Sequence, residues 1–85
     1  MTLPELAHEF AQLRKEKGIT QRQLSQATGL TQPSIARFES GAAVEFGLRK
    51  LLLMLEIVGY EIQFKPTGAA PTLDDDRPIR RGAAR

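Results

Sequence analysis

Apolar residues recur at a helical spacing near the start of the chain. Leu3, Leu6, Phe10 and Leu13 are three or four residues apart, which places them on one face of a helix. Such a stripe has to be buried against other elements, because an amphipathic helix is stabilised mainly by packing its apolar face. The pattern therefore predicts a first helix over residues 3–17.

Two capping boxes predict where helices begin. Thr2 stands three residues before Glu5, and Thr20 stands three residues before Gln23. At this spacing the hydroxyl and the longer polar side chain satisfy each other's free backbone donors at a helix start. Gly18 lies between the two signals, so it is expected to end the first helix.

Residues 20–41 predict two short helices joined by a tight turn. Gly29 can take a positive φ and end the first of them, and Thr31 is a good N-cap for the second. The predicted inward-facing residues are Leu24, Ala27, Leu30, Ile35 and Phe38. On a helical wheel, Pro33, Arg37 and Ser40 lie opposite Ile35 and Phe38. A small, polar face that carries one cation is suited to insertion into a DNA major groove.

The second half of the chain predicts a longer helix over residues 44–58. Its expected core stripe is Leu48, Leu51, Leu52 and Leu55. Further apolar residues around this helix are Leu53, Met54, Ile57 and Val58. A helix that is apolar on more than one face is buried on more than one face. In a chain this short, we expect the second face to meet another copy of the chain.

After Gly59 the pattern changes to strict alternation, which is the one strand signal in the chain. A lone strand leaves its backbone groups unpaired, and a ribbon formed by two copies would satisfy them. The predicted homodimer interface is Leu53, Met54, Ile57, Tyr60, Ile62 and Phe64. Residues 1–65 are thus expected to be one domain, and residues 66–85, rich in Pro, Gly, Ala and charge, a disordered tail.

Composition excludes several classes of protein. The chain has no cysteine, so neither a disulfide framework nor a thiolate zinc site is expected. The longest apolar run, residues 51–55, is too short to span a membrane, and no secretory signal is visible. No nucleophile with a base, phosphate loop or paired carboxylates suggests an enzyme. We expect a cytoplasmic, nucleoid-associated protein without cofactor or metal.

The net charge of +2 is small, but its distribution is uneven. Between positions 14 and 37 the only acidic residue is Glu16. The cations of this stretch are Arg14, Lys15, Lys17, Arg22 and Arg37. Positive charge concentrated on the two short helices is what phosphate binding requires.

Residues 2–64 resemble the lambda-repressor-like (XRE-type) helix-turn-helix proteins. The matching residues are Gln21, Leu24, Gly29, Leu30, Thr31, Gln32, Ile35, Phe38, Glu39 and Gly41. Ser25 departs from the usual alanine, and Pro33 from the polar residue found in many members. The resemblance implies a mainly α-helical bundle of four to five helices that binds double-stranded DNA, with one C-terminal strand pairing across a homodimer.

Residues 48–65 also resemble the antitoxins of the HipBA toxin–antitoxin class. That resemblance implies dimerisation through a shared pair of C-terminal strands, repression of the antitoxin's own operon and binding of a HipA-like serine/threonine-kinase toxin. A free-standing XRE-type repressor and a protein-interaction module on the same scaffold remain alternatives. The presence of Gln21, Gln32 and Arg37 on the predicted reading face favours DNA binding over the scaffold alternative.

Individual side chains have alternative roles. Gln32 could read adenine or merely assist the helix cap, and Arg37 could contact guanine, contact a phosphate or be solvated. Gln21 could bind a phosphate at the positive helix end or be solvated. The predicted DNA-binding residues are Gln21, Arg22, Thr31, Gln32, Pro33, Ser34, Arg37 and Ser40. For Arg14, the family resemblance and its position beside the core favour an ion pair with Glu39 over a phosphate contact.

Overall fold

The computed structural model describes residues 1–68, and within them the chain forms four α-helices and no strand. The helices are α1 (Leu3–Glu16), α2 (Gln21–Thr28), α3 (Gln32–Glu39) and α4 (Leu48–Val58). The bounds predicted for the first three helices are confirmed to within a residue or two. None of the four helices is long and apolar enough to cross a membrane.

Both predicted capping boxes are present. Thr2 Oγ1 accepts the Glu5 N–H at 3.2 Å, and the Glu5 carboxylate accepts the Thr2 N–H at 2.8 Å. Thr20 and Gln23 exchange the equivalent bonds at 3.0 and 2.9 Å. The backbone hydrogen bond from Thr2 lowers the pKa of the Glu5 carboxyl, because it stabilises the ionised form.

The core lies between α3 and the other helices. α3 packs against α1 and α2, and α4 packs against α2 and α1 on the other side. The largest fully buried side chains are Phe10, Leu24, Ile35, Phe38, Met54 and Val58. Phe10 and Phe38 meet edge to face, with ring centroids 5.9 Å apart. This arrangement holds one face of α3 in the core and leaves the opposite face in solvent.

The predicted start of the last helix was wrong. Residues 42–47 form a loop, and α4 begins at Leu48 after the N-cap Gly47. In this loop Phe46 stacks on Phe38, with ring centroids 4.2 Å apart and 24° between the planes. Val44, expected to start the helix, is 88% exposed. The aromatic stack is a tertiary contact that the local apolar spacing does not reveal.

The predicted inward face of α4 was wrong in part. Its buried residues are Leu51, Met54, Leu55 and Val58. Leu48 and Leu52, expected in the core, are 62% and 47% exposed. Met54 was expected at the dimer interface, but it is fully buried inside the single chain. Because residues 51–55 are all apolar, spacing alone could not determine which of them point inward.

Ala27 was also expected to face inward but is exposed. Instead, the half-buried edge of α2 carries two hydroxyl groups, which both serve the turn. Ser25 Oγ donates to the Leu30 carbonyl, and Thr28 Oγ1 donates to the Leu24 carbonyl. Ser25 and Thr28 thus close the connection between α2 and α3.

The segment after α4 is anchored at its first residue. Gly59 takes a left-handed conformation (φ +82°), and the Tyr60 N–H donates to the Leu55 carbonyl at 2.9 Å. Lys17 Nζ lies 5.6 Å from the centroid of the Tyr60 ring. Residues 60–65 form no strand in the single chain, and the predicted pairing of this segment with a second copy stays a prediction. The predicted tail lies outside the described residues from position 69 onward.

Candidate nucleic-acid interface

The connection between α2 and α3 is held at both ends by local geometry. Gly29 has φ +81°, a left-handed conformation that favours glycine, and its N–H donates to the Ser25 carbonyl at 2.9 Å. Thr31 Oγ1 accepts the Ser34 N–H at 3.3 Å and caps α3. These contacts fix the position of α3 relative to α2.

The outer face of α3 presents the side chains that the sequence assigned to DNA. Gln32, Pro33 and Arg37 are exposed, and Ser34 is half-buried. No hydrogen bond within the described residues occupies the side chains of Gln32 and Arg37. Both are therefore free to contact a groove from outside.

Two other predicted contacts already use their hydroxyl groups inside the chain. Thr31 caps α3, as described above. Ser40 Oγ donates to the Arg37 carbonyl at 3.0 Å and accepts the Ala42 N–H at 3.3 Å. These hydroxyls shape the two ends of α3, so they are less available to a ligand than Gln32 and Arg37.

A shallow groove of about 490 Å³ lies at the start of α2. It brings Gln21, Arg22 and Gln32 together with Lys15, which the sequence had not assigned to the site. The first N–H groups of α2 point out of the helix end and carry its positive partial charge. Cations beside a helix N-terminus favour a phosphate group.

A buried ion pair adjoins this groove, and its arginine, Arg14, is one of the lining residues. Arg14 Nε donates to Glu39 Oε2 at 2.6 Å, and Arg14 Nη2 donates to Glu39 Oε1 at 2.8 Å. The side chains are only 8% and 5% exposed. Arg14 Nη1 also donates to the Ile19 carbonyl at 2.8 Å. The structure thus brings together the two residues that the sequence paired, and occupies the Arg14 guanidinium within the chain.

Gln21 joins the same carboxylate. Its Nε2 donates to Glu39 Oε1 at 2.9 Å, so one carboxylate connects α1, α2 and α3. Neither of the roles considered for Gln21 from the sequence, a phosphate contact or a solvated side chain, included this bond, and the side chain is half-buried. The bond holds the amide at the start of α2, next to the helix end where a phosphate would bind.

A second groove, of about 460 Å³, lies between α3 and the loop after it. Ser34 and Arg37 line it from α3, and Phe46 and Lys50 line it from the other side. Lys50 Nζ lies 5.8 Å from the centroid of the Phe46 ring. Sequence reasoning missed Phe46 and Lys50. Lys50 lies in the first turn of α4, beside this groove. Its position could be predicted only if the helix was known to begin at Leu48.

The residues predicted for the dimer interface lie apart from these grooves. Leu53 is half-buried, whereas Ile57, Tyr60, Ile62 and Phe64 are exposed. Within residues 1–68, no three His, Cys, Asp or Glu side chains are grouped so that they could hold a metal ion.

Two short helices in fixed relation, an exposed polar face on the second and cations at both of its edges define a helix-turn-helix DNA-binding domain. The sequence bears out this class. The family model described as helix-turn-helix (HTH_3) matches residues 10–65, and the chain belongs to this family. No curated protein matches the chain significantly. The family consists of DNA-binding regulators of the XRE type and is not enzymatic, so the chain is a DNA-binding regulator whose partner is double-stranded DNA.

Proposed function

We propose that this protein is a repressor that inserts α3 into the major groove of a palindromic operator. The observation that supports this most strongly is the pairing of a free outer face on α3 with a buried network beneath it. Arg14, Glu39 and Gln21 connect three helices, so the reading face is held rigidly by charge-assisted hydrogen bonds. Side chains that are held in place before binding lose less entropy when they bind.

Each exposed side chain has a proposed role that matches its chemistry. Gln32 donates to and accepts from adenine, and the Pro33 ring contacts a thymine methyl group. Arg37 contacts guanine or the backbone at the other end of α3. Arg22 and the N-terminus of α2, with Gln21 beside it, bind phosphate. Phosphate contacts set the register on the duplex, while Gln32 and its neighbours read sequence.

The operator is palindromic in this proposal because the protein acts as a homodimer. Ile57, Tyr60, Ile62 and Phe64 expose apolar surface that a second copy would cover. A two-fold axis would hold two α3 helices about one DNA turn apart, roughly 34–36 Å. Leu53, half-buried on the outer side of α4, would lie at the edge of this interface.

We further propose that the repressor is an antitoxin of the HipBA class. Support comes from the resemblance of residues 48–65 to that class and from the exposed apolar residues found there. The protein would repress its own operon and bind a HipA-like kinase toxin. Co-expression with a kinase-like protein encoded by the neighbouring gene is the test. A stable complex that relieves growth arrest supports the antitoxin role, and growth arrest without a complex contradicts it.

The reading role of Gln32 is tested by the substitution Gln32→Ala. Loss of a bidentate contact to adenine should cost about 1–3 kcal/mol on the cognate operator and much less on a random duplex. Binding to both duplexes is measured by fluorescence anisotropy over a range of salt concentrations. Affinity should fall steeply with salt, because neutralised phosphates release counterions.

Gln26→Ala is the matched control, because Gln26 is an exposed glutamine on α2 outside both grooves. It should leave both affinities unchanged. An equal loss for Gln32→Ala on cognate and random duplexes would show that Gln32 does not read a base. Binding that does not respond to salt would contradict the whole DNA-binding mode proposed here.

A further inference from the structure

Residues 61–65 are the part of the C-terminal segment that can pair along its whole backbone. On one side, the Tyr60 N–H is already donated to the Leu55 carbonyl in the cap of α4. On the other side, Pro66 has no N–H to donate. Residues 61–65, between Tyr60 and Pro66, are therefore the stretch whose backbone groups are all available for a strand ladder. Gln63 is the central residue of this stretch.

The alternating sequence of this run predicts one polar and one apolar face. Gln63 Nε2 lies 3.4 Å from Glu61 Oε2, a contact between residues two apart. In an extended strand, residues two apart point to the same face. The opposite face carries Ile62 and Phe64, and Phe64 is 98% exposed. One face is thus polar and the other apolar, as a half-covered strand requires.

The polar face has unbalanced charge within one chain. Glu61 and Gln63 line a groove together with Glu56 and the start of the segment, and no cation is among its lining residues in the described part of the chain. Lys65 forms no ion pair with any residue of the range 1–68. The segment therefore carries an anion near its start and a cation near its end, neither of them balanced locally.

We propose that residues 61–65 pair antiparallel with residues 61–65 of a second copy, with Gln63 on the two-fold axis. This inference rests on the homodimer proposed above and specifies its register. In this register each Glu61 lies directly opposite Lys65 of the second copy, and Ile62 lies opposite Phe64. Tyr60, whose N–H is used, lies opposite Pro66, which has none. Opposite charges and apolar pairs placed this way both stabilise a ladder.

Neighbouring registers are less favourable for identifiable reasons. An axis at Ile62 pairs Glu61 with Gln63 and leaves Lys65 outside the ladder, so neither charge lies opposite a charge of the other sign. An axis at Glu61 places two carboxylates opposite each other, which is destabilising. An axis between two residues puts apolar side chains opposite polar ones and destroys the alternation.

Cysteine substitution tests the register directly, because the full chain has no cysteine of its own. Residues directly opposite each other have Cα atoms about 4.5–5.5 Å apart, within the range for a disulfide. Gln63→Cys should therefore give a disulfide-linked dimer on mild oxidation. Ile62→Cys is the matched control. In the proposed register its copies are diagonal neighbours about 7–8 Å apart and should stay unlinked.

Charge reversal supplies a second measurement. Glu61→Lys and Lys65→Glu each place like charges opposite each other twice per dimer, and each should raise the dimer dissociation constant about tenfold. The double variant restores both opposite pairs, so its dissociation constant should return to within about threefold of the original. Sedimentation equilibrium of the full chains measures all four constants.

The outcomes separate the register from the dimer itself. An unmodified chain that is monomeric at every concentration overturns the homodimer of the proposed function and the register with it. A dimer in which Ile62→Cys links and Gln63→Cys does not overturns the register alone. The register is also overturned if both cysteine variants form linked dimers or if neither does. It is overturned as well if the two charge reversals weaken the dimer additively.

Discussion

Removing one partner of the Arg14–Glu39 pair should destabilise the domain strongly. In Arg14→Met, the Glu39 carboxylate would lose two hydrogen bonds from the guanidinium and keep only the one from Gln21. With a side chain only 5% exposed, it cannot replace them with water. Breaking a buried pair on one side costs about 3–5 kcal/mol, a large share of the roughly 5–15 kcal/mol that stabilises a whole protein.

The double variant Arg14→Met/Glu39→Leu should recover much of that loss. It removes both charges and fills their space with apolar atoms, and such replacements of buried ion pairs are often neutral or stabilising. We expect the double variant to be more stable than either single variant, with a coupling energy of about 2 kcal/mol or more. Arg14→Lys should behave like a weakened pair, because an ammonium cannot make the two-pronged contact.

Urea denaturation followed by circular dichroism measures the free energies of unfolding of the wild type, Arg14→Met, Glu39→Leu and the double variant. If a single variant is too unstable in water, the set is measured with a stabilising osmolyte, which leaves their differences comparable. Strictly additive losses would refute the coupling. In that case the two side chains would contribute independently to stability, and Arg14 would return to the candidates for phosphate contact.

Two further predictions concern local contacts. Phe46→Leu removes the stack on Phe38 and the ring beside Lys50, so the free energy of unfolding in urea denaturation should fall by about 1–2 kcal/mol. The control Val44→Ala, at an exposed position of the same loop, should change it by less than about 0.5 kcal/mol. The lowered pKa of Glu5 means that its capping contribution is complete above the ordinary value of 4.5 and is lost as the pH falls through the lower folded-state pKa. Carboxyl titration by NMR should show this, Glu5→Gln should abolish that pH dependence, and an unshifted titration would contradict the capping role.

Features that depend on neighbours in the chain could be predicted from the sequence. The capping boxes at Thr2 and Thr20, and the N-cap at Thr31, follow from spacing over three residues, and the structure contains all of them. The exposed face of α3 follows from helical periodicity combined with strongly apolar Ile35 and Phe38. Short-range geometry fixes such features before tertiary packing is considered.

Features that depend on contacts between distant parts of the chain could not be predicted from the sequence. The loop before α4 follows from the stacking of Phe46 on Phe38, and a pattern of apolar residues does not distinguish that loop from a helical turn. Met54 lies in an unbroken apolar run, so its burial depends on which side of α4 meets the other helices. The family resemblance and the position of Arg14 beside the core predicted that Arg14 and Glu39 meet, but the contact of Gln21 with the same carboxylate depends on how α2 is placed against them.

The anchoring of Tyr60, the first residue after Gly59, has a consequence for the spacing of the DNA half-sites that a homodimer would bind. Tyr60 is held by its backbone bond to Leu55 and by the Lys17 ammonium beside its ring, so the direction in which the segment leaves the domain is restricted. In a homodimer joined through that segment, this direction sets the angle between the two recognition helices. Replacing Tyr60 would then change the spacing between operator half-sites that the dimer prefers. It would change the affinity for a single half-site much less.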